Sequence, residues 1–206
     1  MNNRSGDDTR GLDRIIFFSD AVFAIVMTLL ILDIPVSDIP PASAAAELPV
    51  RVLDLWPKFF SYALSFMVIG TYWMAHHGTF RYFKSYDRMI MWLNLLFLLS
   101  ISFVPFPTAL LGEYGEQQFA VVSYAVSLAV PRLLLASVWW YALRRDLLSG
   151  SLDPRILRYH LARSLAILAL FLLSIIVSFF SVSAAVLSWL LMFAVDAVLW
   201  RLQRYR

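Results

Sequence analysis

Cysteine is absent from the 206-residue chain, and charged side chains make up only 15% of it. The missing cysteine excludes disulfides, thiolate metal sites and cysteine nucleophiles. No basic run is long enough to form a nucleic-acid-binding arm, so no nucleic-acid partner is expected. The sequence also has no HExxH or GxSxG motif. We therefore expect no enzyme, and no cofactor or bound metal.

Apolar residues dominate the chain instead. Hydrophobic residues make up 61% of it, whereas a soluble domain has about 45–50%. Apolar runs fall at 15–34, 52–77, 89–111, 117–143, 156–180 and 183–200. A five-helix count would require one helix over 156–200, which is far longer than a bilayer needs. The pattern predicts an all-α polytopic membrane protein with six transmembrane helices, forming a single domain over residues 1–206.

Lysine and arginine are distributed unevenly between the connections of these six helices. Fourteen of the 17 lie on the side of the two termini, and only Arg51 and Lys58 lie on the other side. By the positive-inside rule, we expect a multi-pass protein of the cell membrane with both termini in the cytoplasm. The small residues at 42–47 would also fit a signal-peptide cleavage site. Cleavage would leave an odd helix number, so we expect the first run to be retained.

The first run, IIFFSDAVFAIVMTLLILDI, carries Ser19 and Asp20 near its cytoplasmic end. A carboxylate inside a membrane span costs on the order of 2.5 kcal/mol or more unless it finds partners or water. The second run returns to the same depth with Trp73 and His77, which share one helix face. We expect these four side chains to form a polar network that anchors the first helix. The alternative is that Asp20 faces lipid headgroups.

A different face of the first helix is apolar. At about 100° per residue, Thr28, Leu29 and Leu32 lie within about 60° of Ile25. The polar pair at 19 and 20 falls on the far side of the helix. These positions form a stripe of branched aliphatic side chains with one hydroxyl group. Most such stripes on membrane helices face lipid or pack against a neighbouring helix.

A short motif in the first helix resembles a known family. The Arg-x-x-x-Phe-Ser-Asp signature of the transmembrane protein 175 potassium-channel family is matched by Arg14, Phe18, Ser19 and Asp20. The string WMAHH, with Trp73 and His77, resembles that family's second helix. The remaining helices resemble the family in hydropathy and number, so the match covers mainly residues 14–33 and 73–77.

The resemblance implies a potassium-selective or potassium-preferring cation channel that assembles as a homotetramer in membrane lipid. It implies that four first helices surround the path of the potassium ions, with Ile25 as the constriction and Leu29 and Leu32 as further apolar layers. Thr28 would supply the hydroxyl layer used in selectivity. A carbonyl filter of the TVGYG type is absent from the sequence.

The outer mouth carries an acidic residue, Asp33, which ends the apolar part of the first run. Four copies of this carboxylate would concentrate cations near the pore. Alternatively, its position follows from the general charge bias of the outer loops.

Two other functions remain open. A proton-conducting channel is one, because Asp20 and His77 could titrate. A hydrophobic ring, however, offers protons no path except water. The other is a proton-coupled secondary transporter, although such transporters often bind substrate between interrupted helices and the first run is uninterrupted.

Overall fold

The structure is a computed structural model that describes residues 3–35, 44–149 and 154–204. In this part of the chain, regular structure is almost entirely helical, with one isolated bridge between Phe83 and Leu148. The helices are α1 (Asn3–Leu29), continued by a 3-10 turn (Leu30–Asp33), α2 (Ala44–Asp54), α3 (Trp56–Phe80), α4 (Arg88–Phe103), α5 (Pro105–Tyr114), α6 (Gln118–Arg144), α7 (Pro154–Ser178), α8 (Val182–Ser188) and α9 (Leu191–Arg204).

Several helices are long and apolar enough to cross a membrane. Four segments meet this condition: Arg10–Asp33, Arg88–Tyr114, Gln118–Arg144 and Tyr159–Ser178. A fifth is obtained if α2 and α3, which are bent by 47° relative to each other, are counted as one span. The described residues thus form a multi-pass, all-α membrane protein, as the composition predicted.

The predicted count of six spanning helices is not confirmed, because the last apolar run is divided. α7 ends at Ser178, close to the end of the apolar run 156–180. The rest of the run is broken by a turn at Trp189 and Leu190 into α8 and α9. Its apolar part, Val182–Val195, is shorter than the roughly 20 residues that a bilayer requires.

The third apolar run is also interrupted, at its prolines. α4 ends at Phe103 and α5 begins at Pro105, with a single residue between them. Proline is accepted in the first turn of a helix, where its missing N–H would have no partner, but it breaks the hydrogen bonding of a helix interior. The two helices therefore follow each other within one candidate span, Arg88–Tyr114.

The start of α4 is fixed by Asp87. Its Oδ1 accepts a hydrogen bond from Ile90 N at 2.9 Å, as an N-cap does, and its Oδ2 accepts one from Tyr141 Oη at 2.7 Å. Burial raises the pKa of Asp87, but these hydrogen bonds and the nearby Arg145 outweigh it. The pKa of Asp87 therefore lies below its usual value, and its carboxylate ties α4 to the end of α6.

Polar side chains join the helices inside the apolar core. The hydroxyl groups of Ser65 and Tyr124 lie 2.9 Å apart, and Thr108 Oγ1 donates to Ser65 Oγ at 2.8 Å. Trp139 Nε1 donates to Thr79 Oγ1 at 2.8 Å. Such hydrogen bonds hold membrane helices together where water cannot compete. They connect α3 to α5 and to α6, so α3 is a fixed support for its other neighbour, α1.

Candidate pore helix and its polar anchors

α1 packs against α3 and α4 through one face. The buried side chains of that face are Leu12, Ser19, Phe23, Val26 and Leu30. They recur at spacings of three, four and seven residues, which are the spacings of a single helix face. Phe23, Val26 and Leu30 belong to the main apolar core, to which α3, α4 and α6 also contribute.

The apolar stripe of α1 lies on the opposite side and is exposed on the protomer. Ile25 is 57% exposed, Leu29 is 45% exposed and Leu32 is 73% exposed. Phe23, on the packed face, is only 1% exposed. Aliphatic side chains this exposed on a membrane protein must be covered by lipid or by another chain, or must line a pore.

Thr28 interrupts this stripe with a hydroxyl group. Its Oγ1 lies 3.0 Å from the carbonyl oxygen of Ala24 and 2.9 Å from that of Ile25. A threonine hydroxyl has one proton and two acceptor lone pairs. The proton is therefore directed back to the helix, and the oxygen presents its lone pairs to the exposed side.

Asp20 is held by α3. Its Oδ1 accepts a hydrogen bond from Trp73 Nε1 at 2.8 Å. His77 lies one turn further along α3 and is exposed, with its ring centroid 6.0 Å from that of Trp73. The structure thus brings Asp20 and Trp73 into contact. In the described part of the chain, His77 is linked to this pair through the Trp73 ring rather than by a hydrogen bond to Asp20.

Ser19 belongs to a separate, buried network. Asn94 Nδ2 on α4 donates to Ser19 Oγ at 3.1 Å, and His76 Nε2 on α3 lies 2.8 Å from Asn94 Oδ1. Because an amide oxygen only accepts, His76 carries a proton on Nε2. Ser19 Oγ in turn donates to Ile15 O at 2.8 Å. A continuous series of hydrogen bonds therefore connects α3, α4 and α1.

The structure differs here from the predicted network. The prediction placed Ser19, Asp20, Trp73 and His77 in one network, whereas Ser19 belongs here to a second network whose histidine is His76. Neighbouring helix positions point about 100° apart, so an offset of one residue selects a different face. Asn94 was not predicted at all. The signal that could have found it is a lone amide in the apolar run 89–111, because a polar side chain in a span needs a partner.

The ring of His76 is enclosed by aromatic side chains. Its centroid lies 5.9 Å from that of Phe23, 4.5 Å from that of Phe80 and 5.4 Å from that of Phe97. His76 is therefore fixed by rings from α1, α3 and α4 as well as by the bond to Asn94. These contacts connect α1 to both of its supporting helices.

Arg14 and Phe18, the first two signature residues, are exposed and line a cavity of about 340 Å³ between α1 and α4. Tyr86, from the loop before α4, forms part of its wall. The Tyr86 ring lies so close to Gly11 that a Cβ on that glycine would be 2.1 Å from Tyr86 Oη. A side chain at position 11 would therefore displace the tyrosine.

Asp33 is exposed at the end of the 3-10 turn that follows α1. It lines a cavity of about 260 Å³ together with Lys58 and Glu113, which form an ion pair. The charges of these three side chains sum to minus one. This end of α1 therefore carries a net negative charge. It is also the C-terminal end of the helix, where the negative end of the helix dipole favours cations.

Metal binding has no evident site in the described residues. Across 3–35, 44–149 and 154–204, no group of three His, Asp or Glu side chains is placed to hold a metal ion. His76 and His77 point to different sides of α3, one buried and one exposed. What the geometry defines is a multi-pass helical membrane protein whose first long apolar helix is anchored on one face and exposed on the other.

Comparison with known proteins assigns the family. The model of the family described as endosomal/lysosomal potassium channel TMEM175 matches residues 14–105, which include the four signature residues. A potassium channel of Streptomyces collinus is 40% identical over 148 residues, which are 69% of this chain and 68% of that protein. A potassium channel of Chamaesiphon minutus is 36% identical over 139 residues, which are 65% of this chain and 66% of that protein. The chain therefore belongs to the TMEM175 family of ion channels.

Solved structures show the same fold. The crystal structure of a lysosomal potassium-selective channel TMEM175 homologue from Chamaesiphon minutus superposes with a TM-score of 0.76 at 28% identity. The superposition covers 92% of this chain and 98% of the other. A variant of the potassium channel MtTMEM175, crystallised in complex with a nanobody fusion protein, has a TM-score of 0.64 at 19% identity, which supports the fold alone.

Proposed function

We propose that this protein is a potassium-preferring cation channel in which four copies of α1 surround the pore of a homotetramer. The observation that carries the proposal is the opposite exposure of the two faces of α1. Phe23 and Leu30 are buried in the protomer, while Ile25 and Leu32 on the other face are exposed. One α1 helix cannot enclose a path for ions by itself, so a closed path requires several copies around an axis.

In this arrangement Ile25 forms the constriction, and Leu29 and Leu32 form apolar layers beyond it. A ring of aliphatic side chains blocks ions by narrowing the path and by excluding water, because an ion cannot give up its hydration against hydrocarbon. Opening then requires the four helices to tilt or rotate until the ring is wide enough to remain wet.

Thr28 supplies oxygen atoms next to this constriction. Since its proton is directed to the backbone of its own helix, each of four threonines offers lone pairs to a passing cation. These oxygens replace part of the water that the ion loses. The hydroxyl layer is the element to which we attribute the preference for potassium.

Two contacts fix the rotation of α1 in the protomer. The bond between Asp20 and Trp73 holds it to α3, and the bond between Ser19 and Asn94 holds it to α4. They lie about one to two helical turns from Ile25 along the same helix. Their role in the proposal is to keep the stripe directed at the axis, so Ser19, Asp20 and Trp73 are positioning residues. We assign the same role to the two remaining signature residues, Arg14 and Phe18, and to His77.

The proposal includes a topology. The chain forms one domain over residues 1–206 with six spans, α8 and α9 together supplying the last, in the cell membrane with both termini in the cytoplasm. The excess of Lys and Arg on the side of the termini supports this orientation. Asp33 then lies at the outer mouth, where four copies would raise the local cation concentration at low salt.

The experiment that tests the pore assignment is potassium flux into liposomes that contain purified Ile25→Ala. We expect flux to rise about tenfold, the equivalent of a barrier lowered by about 1.4 kcal/mol. The matched control is Leu99→Ala, because Leu99 is an aliphatic residue of similar exposure on α4. Equal flux through both variants would remove Ile25 from the constriction.

A proton-conducting channel is the second candidate. Relatives in Gallus gallus and Homo sapiens, 32% and 33% identical over 136 and 110 residues, are named endosomal/lysosomal proton channel TMEM175. This chain covers only 27% and 22% of their length. Liposomes with a proton gradient and no potassium gradient separate the two candidates, because only a proton channel acidifies them rapidly.

A further inference from the structure

Helix α2 (Ala44–Asp54) has no role in the proposed pore and none of its side chains is buried in the protomer. Leu48, Val50, Val52 and Leu53 are all exposed, Leu53 by 74%. Four large aliphatic residues in eleven is a high density for a helix that contacts little of its own chain. Such a surface requires a partner outside the protomer.

The side chains of α2 are sorted around its axis. At about 100° per residue, Glu47, Arg51 and Asp54 fall within an arc of about 60°. The four large aliphatic residues lie on the other side, over an arc of about 200°. A helix that packs on one neighbouring helix needs an apolar stripe of only about 100°. The wide apolar arc and narrow polar wedge of α2 are typical of a helix that sinks into a membrane surface.

α2 cannot be stable without such a partner. An isolated helix shorter than about 12–15 residues is marginal in water, and α2 has 11. It also contains Pro49, which removes one backbone hydrogen bond from the helix interior. The contacts that stabilise α2 must therefore come from its exposed apolar arc.

The place of α2 in the chain identifies the partner. It is joined through Leu55 to α3, which has 25 residues and a length of about 37 Å, so that the length needed to cross the bilayer core is reached without α2. α2 turns away from α3 by 47° at this junction. Trp56, the first residue of α3, is 68% exposed there, and tryptophan is enriched at the level of the headgroups.

We propose that α2 is an interfacial helix that binds the lipid surface at the end of α3. Its partner is the boundary between the phospholipid headgroups and the acyl chains. The aliphatic arc enters the acyl region, and the wedge of Glu47, Arg51 and Asp54 faces water. This surface anchor is independent of the pore, since it requires only that α3 spans the membrane.

The absence of cysteine makes a direct test possible. We would make four single substitutions in the full chain, Leu48→Cys and Val52→Cys on the apolar arc, and Glu47→Cys and Arg51→Cys on the polar wedge. Each variant is labelled with a nitroxide and reconstituted in phosphatidylcholine liposomes. Electron paramagnetic resonance then measures how accessible each label is to molecular oxygen, which concentrates in lipid, and to a water-soluble nickel chelate.

We expect the ratio of oxygen to nickel accessibility to be severalfold higher at Leu48 and Val52 than at Glu47 and Arg51. High nickel accessibility at all four positions would overturn the proposal, because α2 would then lie in water. Low accessibility to both reagents on the apolar arc would also overturn it, because a second protein chain would then cover this arc. Every position is exposed, so folding is expected to persist, and Leu53→Cys replaces either apolar variant that does not fold.

Discussion

Replacing Asn94 with leucine tests the buried network that connects α1 to its supporting helices. Leucine has the same branching and the same number of side-chain heavy atoms as asparagine and suits the apolar surroundings, so the change removes hydrogen bonds without opening a cavity. Two bonds are lost, that from Asn94 Nδ2 to Ser19 Oγ at 3.1 Å and that from His76 Nε2 to Asn94 Oδ1 at 2.8 Å. Ser19 and His76 both remain, each without its partner on α4.

The cost has two parts, because His76 Nε2–H loses its acceptor while Ser19 loses one bond and still donates to Ile15 O. Interhelical hydrogen bonds in membrane proteins contribute about 0.6 kcal/mol each on average. A buried polar group left without a partner costs about 1–3 kcal/mol. His76 is fully buried, so its orphaned N–H and the lost bond to Ser19 together should lower the free energy of unfolding of Asn94→Leu by about 2–4 kcal/mol. For a chain of this size that corresponds to a Tm lower by roughly 4–16 °C.

The assay is thermal unfolding in detergent, followed by the loss of helical circular dichroism. Ser100→Ala on the same helix is the matched control, because Ser100 Oγ donates to Phe97 O within α4 and joins no other helix. We expect its Tm to stay within the experimental error of the wild type.

A second variant isolates the network itself. Replacing both partners with apolar groups removes the orphaned N–H as well as the bond, and such double changes are close to neutral. His76→Phe suits a site surrounded by Phe23, Phe80 and Phe97. Adding His76→Phe to Asn94→Leu should therefore recover part of the lost stability. An Asn94→Leu protein as stable as Ser100→Ala would refute the reasoning, and so would a double variant whose losses simply add.

Three further predictions concern other parts of the protein. Thr28→Val should lower the potassium-to-sodium permeability ratio while Thr28→Ser retains it, as measured by reversal potentials in planar bilayers. Gly11→Ala should displace the Tyr86 ring at a cost largely offset by the roughly 1 kcal/mol that alanine gains over glycine in a helix, and in a Tyr86→Ala background the same change should raise the Tm. Because the pKa of Asp87 is lower in the folded protein, its carboxylate stabilises the fold above the unfolded pKa of about 3.9. That contribution is lost as the pH falls below this value, and Asp87→Asn should reduce the slope of stability against pH there.

The arrangement of α1 follows closely from its sequence. The angular spacing of Ile25, Leu29 and Leu32 separates them from Phe23 and Leu30 on any regular helix, so exposure of one set accompanies burial of the other. Trp73 was also predictable as the partner of Asp20, because the second apolar run brings Trp73 back to the depth of Asp20 in the membrane. Local periodicity is sufficient for features of this kind.

Other features depend on how helices pack, which periodicity does not encode. Choosing between His76 and His77 requires the rotation of α3 about its own axis, and Asn94 was overlooked because no local pattern connects it to Ser19. The bend at Leu55 lies inside the predicted run 52–77, where the helix-start signal of Pro57 was not used. Similarly, nothing in the hydropathy of 183–200 marks the turn at Trp189, whose indole donates to Ser174 Oγ at 2.8 Å.

The most direct test of the central claim is ion flux through the purified wild-type protein in liposomes, with gradients of potassium, sodium and protons applied separately. A cation channel with a hydroxyl layer should carry potassium fastest, carry sodium more slowly and show no saturation over the accessible concentrations. Proton movement alone would contradict the account. So would slow, saturable transport of potassium, because an open pore lined by α1 has no step that limits the rate in that way.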